Sequence, residues 1–225
     1  VQNGDINITD GEIEGNLTSA GFNIIKVENS RIGSISVSDA GFLGIKDTNV
    51  EGDEINIKNI GELYFSDSNI KCGTVNLEGV SRLNFANSAG NLVGGINILE
   101  SGKASISGSR FSSEGICINK CGIEVLECIG SEIKGEIGVV IEEGTENIFE
   151  GVKISGETGG MQISGESRAE LRDIKISSGM IGLEIGCGSK TKLEGIEIEA
   201  EDALDADSGE VDIEGSEIRG RIKLK

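Results

Sequence analysis

The chain has 225 residues, a net charge of -19, 35 Gly, no Pro, Trp or His, and only 3% aromatic residues. So few large side chains exclude a broad globular core, and the surplus of carboxylates disfavours nucleic acid and anionic membranes as partners. No stretch approaches 18 apolar residues, so no membrane insertion is expected.

The apolar residues repeat. Ile6 and Ile8 are followed five residues later by Ile13. The same figure returns as Ile25, Val27, Ile32; Leu43, Ile45, Val50; Leu63, Phe65, Ile70; and, with slipped spacing, Leu83, Phe85, Leu92. It continues as Ala104, Ile106, Phe111; Leu126, Cys128, Ile133; Asn147, Phe149, Ile154; and Ala169, Leu171, Ile176. Thr191, Leu193, Ile198 and Val211, Ile213, Ile218 complete eleven copies, spaced 18 to 22 residues apart. Each copy is expected to hold a second alternating pair, as in Ile35/Val37, Ile55/Ile57, Val75/Leu77, Ile96/Ile98, Ile116/Ile118, Met161/Ile163, Leu183/Ile185 and Ile222/Leu224. Period-two alternation reads as half-buried strands.

Between the first pair and the single apolar position stands a small or turn-forming residue. In order these are Asp10, Asn29, Asp47, Asp67, Asn87, Gly108, Gly130, Gly151, Asp173, Gly195 and Gly215. Gly, Asn and Asp tolerate the left-handed backbone of a sharp bend. Each copy therefore reads strand, tight bend, short strand, turn, strand, turn. A strand recurring on one face every twenty-odd residues must stack on its predecessor, at about 4.8 Å per copy. The expected fold is all-β: a right-handed parallel β-helix of about eleven coils, with three parallel sheets and no long loops, as one domain over 1–225. A leucine-rich repeat would need its helical segment and Leu/Asn consensus, and a left-handed hexapeptide helix a strict 18-residue coil.

Stretches such as "LYFSDSNIKCGTVNLEG" and "VDIEGSEIRG" resemble the pectate-lyase-like right-handed β-helix superfamily along the whole chain. The resemblance implies the fold and little about activity. Enzymes of that superfamily act mainly on polysaccharides. Polygalacturonase-like members carry paired Asp residues with Gly-His-Gly and Arg-Ile-Lys motifs. Here Arg221-Ile222-Lys223 stands alone, with no His anywhere. Pectate-lyase-like members hold Ca²⁺ on carboxylates and use an Arg as base. Coils of 18 to 22 residues leave no room for cleft-forming loops, and Phe65, Phe85, Phe111 and Phe149 fall on inward positions. Phe22 and Phe42 are expected at a corner. No catalytic residue and no cofactor is assigned, with calcium the one metal considered. The acidic run Glu197 to Glu210 contains Asp205-Ala-Asp207-Ser-Gly but lacks the rest of a calcium loop, and reads as a solvated turn.

Of five cysteines, Cys128 falls inward, Cys117 is expected outward, and Cys72, Cys121 and Cys187 are expected at turns. Cys72, Cys117, Cys121 and Cys187 are thus candidates for cross-links between molecules. Asn7 and Asn16 begin glycosylation triplets. Asn56, Asn76 and Asn97 share one outward position in successive coils, where stacked amides can hydrogen-bond along the rod.

Val1 enters the first repeat within five residues, with no leader pattern, and Lys225 follows the last inward position. Neither end shows a capping unit, so both are expected to be bare. The first 25 residues hold Asp5, Asp10, Glu12 and Glu14 and no base, whereas the last seven hold Arg219, Arg221, Lys223 and Lys225 and no acid. Such ends favour head-to-tail contact, which propagates rather than closes. The expected function is a self-assembling structural subunit of a filament, sheath or surface layer, whose partner is itself. The alternative is an adhesin or spike-type module binding glycans or proteins, and after that a polysaccharide-active enzyme. An extracellular or cell-surface setting is expected, with a cytoplasmic scaffold polymer as the other possibility.

Overall fold

The computed structural model describes residues 4–21 and 23–225. Val1 and Phe22, and the expectations placed on them, lie outside the described residues. Every strand pairing is parallel, and among the described residues there is no helix. Three strands recur in eleven rungs, giving a parallel β-solenoid of about ten turns. The first rung comprises Asp5–Thr9 on the first face, Glu12–Ile13 on the second and Leu17–Ala20 on the third. The last comprises Glu210–Glu214 on the first face, with Glu217–Leu224 running through the second and third. No connection between described strands exceeds the four residues from 186 to 189.

The inward columns follow from alternation. Ile25, Leu43, Leu63, Leu83, Ala104 and Leu126 stand in register on the first face, and Ile35, Ile55, Val75, Ile96 and Ile118 on the third. All of these side chains are buried. Burying each Ile, Leu or Phe is worth about 1.5–3 kcal/mol, and a rung gains it only when neighbours cover both sides. Phe65 lies parallel to Phe85 at a centroid distance of 5.0 Å, and Phe85 meets Phe111 edge-on at 5.3 Å.

The bend after the first face is the most regular device in the chain. Asp10, Asn29, Asp47, Asp67, Asn87, Gly108, Gly130, Gly151, Asp173, Gly195 and Gly215 all have φ between 48° and 63°. The next residue in six rungs is a buried hydroxyl: Ser30, Thr48, Ser68, Ser88, Ser109 or Ser131. Each donates to the carbonyl two residues earlier, at 2.7–3.0 Å. Five of them also accept from a backbone N–H of the rung before, as Ser68 N–H donates to Ser88 Oγ at 3.4 Å and Ser88 N–H to Ser109 Oγ at 3.1 Å. The left-handed residue turns the chain, and the hydroxyl satisfies backbone groups that the turn would otherwise bury unpaired.

The outer asparagine column also forms. Asn76 Nδ2 donates to Asn56 Oδ1 at 2.8 Å, and Asn97 Nδ2 donates to Asn76 Oδ1 at 3.0 Å. Asn119 extends it, donating to Asn97 Oδ1 at 3.3 Å.

Three registers differ from simple counting. Gly90, not Leu92, stands level with Ile70 and Phe111. The Phe111 ring occupies the space over Gly90, where an added Cβ would lie 2.6 Å from the ring. Ile118 and Lys120, not Ile116 and Ile118, continue the column of Ile96 and Ile98. Phe42 begins the strand Phe42–Lys46 rather than packing at a corner, and its ring stacks on Tyr64 at 5.6 Å on the first face.

The bend predicts a stability test. Asp67→Val places a β-branched residue at φ 52° and removes the acceptor of Asn87 Nδ2. It should destabilise by about 1–2 kcal/mol in denaturant unfolding, whereas Asp67→Gly should cost less than half of that.

Candidate functional site at the ends of the solenoid

Inside the rod each apolar column is covered from both sides; at the tail it is not. Leu193 and Leu204 are fully buried, but one rung later Ile213 is 44% exposed, Ile222 52% and Leu224 68%. Val211 and Ile218 of that rung are half-buried. At the head, Ile6, Ile8 and Ile13 are half-buried while Leu17 is covered. The two rungs have the same internal spacing. Val211, Ile213, Ile218, Ile222 and Leu224 occupy the places of Ile6, Ile8, Ile13, Leu17 and Ser19 without insertion. A rung set below the tail in the register used throughout the chain would cover all five.

The charged residues of the ends behave differently from a count of charges. Asp5, Asp10, Glu12 and Glu14 are exposed, Asp5 on the first face and the others on the following bend and second face. Glu12 already faces Arg31 of the next rung at 3.7 Å. The tail bases lie mainly on the third face, and they too have partners within the chain. Arg221 Nε and Lys223 Nζ hold the Asp202 carboxylate at 2.7 and 2.6 Å, Lys225 lies 3.8 Å from Asp205, and Arg219 meets Glu217 at 2.7 Å. The acidic run is therefore not a solvated turn at its start: Glu197–Ala206 is a strand whose carboxylates receive the bases of the last rung. In a head-to-tail rung, Glu210 would stand over Asp5 and Glu217 over Glu12, leaving Arg219 over Glu14 as the one opposite-charge pair. The complementarity expected from charge counts shrinks because the acids and bases of the two ends sit on different faces.

Lys223, through its hydrogen bond, and then Arg221 hold Asp202 below the ordinary carboxylate value of 3.8.

The cysteines divide by burial. Cys117 is fully buried rather than outward, because it occupies the tight corner filled in other rungs by Gly95, Gly138, Gly160, Gly182 and Ala203, one residue ahead of the third-face column. Cys72 lies inside the strand Asn69–Glu78 and is buried, not at a turn. Cys121 lies in the strand Ile116–Ile129 and is half-buried. Cys187 is exposed at a turn. All five are free thiols. Burial pushes Cys72 up to about 11 and Cys117 and Cys128 to about 12. Burial and then Glu143, Glu142 and Glu100 raise Cys121 as well. Of the four candidates for cross-links between molecules, only Cys121 and Cys187 reach solvent.

Asn7 and Asn16 are both exposed. Among the described residues no three acidic or cysteine side chains converge on a metal site. A shallow depression of about 320 Å³ runs along the second face near the tail, where Ser155 and Ser177 are flanked by Lys153, Lys175, Glu199 and Arg219. No protein-family model, no curated protein and no solved structure matches this chain.

Two measurements follow. Thiol alkylation of the native protein at neutral pH should modify Cys187 first and Cys121 more slowly, with Cys72, Cys117 and Cys128 protected until denaturant is added. Rapid modification of Cys117 in the native state would contradict its place in the corner. In a carboxyl-detected NMR titration Asp202 should titrate below 3.8, and Lys223→Met should move its midpoint upward. A depressed folded pKa stabilises fully above the unfolded value and loses that contribution as pH falls through the folded value. The part of the last rung's stability that rests on Asp202 should therefore be lost as pH falls below the ordinary carboxylate value of 3.8.

Proposed function

We propose that the protein is a structural solenoid subunit whose copies stack head to tail into a filament, sheath or surface layer. The observation that supports this reading is the apolar row of the last rung, Val211, Ile213, Ile218, Ile222 and Leu224, partly bare and spaced like the head rung that would cover it. Addition of a rung extends three hydrogen-bond ladders and buries one more apolar layer, the same step that builds the rod internally. The heterologous contact does not close, so it propagates. The exposed sequons at Asn7 and Asn16 suit an extracellular or cell-surface setting.

The driving force in this reading is apolar, and charge opposes it. Each copy carries -19, and two of the three charged positions that meet in register are like-charged. Association should therefore strengthen as salt shortens the screening length, from about 30 Å at 0.01 M to about 8 Å at physiological ionic strength. Sedimentation and negative-stain electron microscopy across a salt series should show longer rows at higher salt. The double substitution Ile222→Asp and Leu224→Asp changes side chains already more than half exposed, so the fold should persist while the rows disappear. A monodisperse monomer at high concentration and moderate salt would refute head-to-tail stacking.

A further inference from the structure

One polar pair lies within the apolar lumen. Lys120 is fully buried and Asn147 is 1% exposed. They come from the sixth and eighth rungs: Lys120 closes the sixth on the third-face column of Ile98 and Ile141, and Asn147 opens the eighth on the first-face column of Leu126 and Ala169. Lys120 Nζ donates to Asn147 Oδ1 at 2.5 Å, and Asn147 Nδ2 donates to the carbonyl oxygen of Arg168 at 2.8 Å. Lys120 forms no ion pair among the described residues. A lysine placed in a hydrocarbon interior with one amide as its partner is costly to keep charged.

We propose that Lys120 and Asn147 are a modification site, at which the side chains condense into an intramolecular isopeptide bond that staples the end of the sixth rung to the start of the eighth. The Nζ lone pair attacks Asn147 Cγ, a new C–N bond forms and the Cγ–Nδ2 bond breaks. A proton from Nζ passes to the departing nitrogen, which leaves as ammonia. A neutral amine and a primary amide thus give a secondary amide and ammonia, with no oxidant, metal or nucleotide consumed. The geometry meets the two requirements of such a step. The amine is held against the amide by the fold rather than by collision, and the Arg168 carbonyl fixes the amide plane. Burial also supplies the reactive form: it draws the Lys120 ammonium down to about 8, so neutral amine is present near neutral pH. With no ion-paired carboxylate to relay the proton, transfer runs directly from Nζ to the leaving nitrogen. The bond then accumulates with storage, and faster as pH rises through about 8.

Peptide mapping of the wild-type protein, freshly purified and after storage at pH 7 and pH 9, tests this. Trypsin cannot cleave after an acylated lysine. The bond therefore replaces the separate peptides 111–120, 121–134 and 135–153 with one branched species, in which 111–134 is joined to 135–153 and is lighter by one ammonia. The branched fraction should rise with time and be greater at pH 9. Intact mass alone would not suffice, because succinimide formation at Asn3-Gly4 also loses ammonia. Lys120→Met, an apolar side chain of similar length, should abolish the branched species and leave any succinimide unchanged. Aged wild-type protein that yields only the three separate peptides, at either pH, would overturn the proposal, and this reading does not depend on the variant folding.

Discussion

The structure depends on one coupling: a rung can bury its inward side chains only if its backbone is hydrogen-bonded, in register, to the rung beside it. Parallel pairing sets both at once. Because side chains alternate with period two, a slip of one residue would turn a whole inward column outward. Each device at the corners serves that register. The left-handed residue after the first face turns the chain at the same point in all eleven rungs, and five of the hydroxyls that follow tie their turn to the rung before. The asparagine column repeats the tie outside, and interlocked phenyl rings repeat it within.

The same coupling explains what the sequence displayed and what it hid. The bend was legible because its requirement is local: only Gly, Asn and Asp accept that backbone cheaply, and all eleven assigned positions adopt it. Gly90 was hidden because its column is completed from another rung, by the Phe111 ring. Cys117 was hidden because the strand enters the third face through a corner with consecutive buried residues at 117 and 118, which breaks strict alternation. Lys120 is masked in the sequence by the more apolar pair Ile116 and Ile118, although it is Ile118 and Lys120 that continue the column. Yet a signal was present. The step between the last inward residue of one coil and the first of the next is six at Val37 to Leu43, Ile57 to Leu63 and Leu77 to Leu83, and six back from Leu126 is Lys120. Spacing outranked hydrophobicity there.

The candidate site was less legible than the fold. Counting charges located acids near the head and bases near the tail, but a count carries no face. In the folded rod the bases turn back onto Asp202 and Asp205, so the tail is closer to neutral than its composition suggests, and the exposed apolar row becomes its principal feature. The stacking proposed above would therefore rest on shape and burial, with electrostatics setting its solution conditions.

The corner after the first face changes its chemistry along the rod. Hydroxyls fill it from Ser30 to Ser131, but Val152, Ile174 and Ile196 take the same place in the following rungs, all buried. Apolar contacts weaken on cooling, whereas hydrogen-bonded turns do not weaken in the same way. The corner after the third face runs the other way: Ala40, Ile60 and Val80 fill it early in the rod, and Ser101, Ser167 and Ser189 later. Apolar and hydrogen-bonded corners are thereby shared between the two stretches, so neither end of the rod is singled out by cooling.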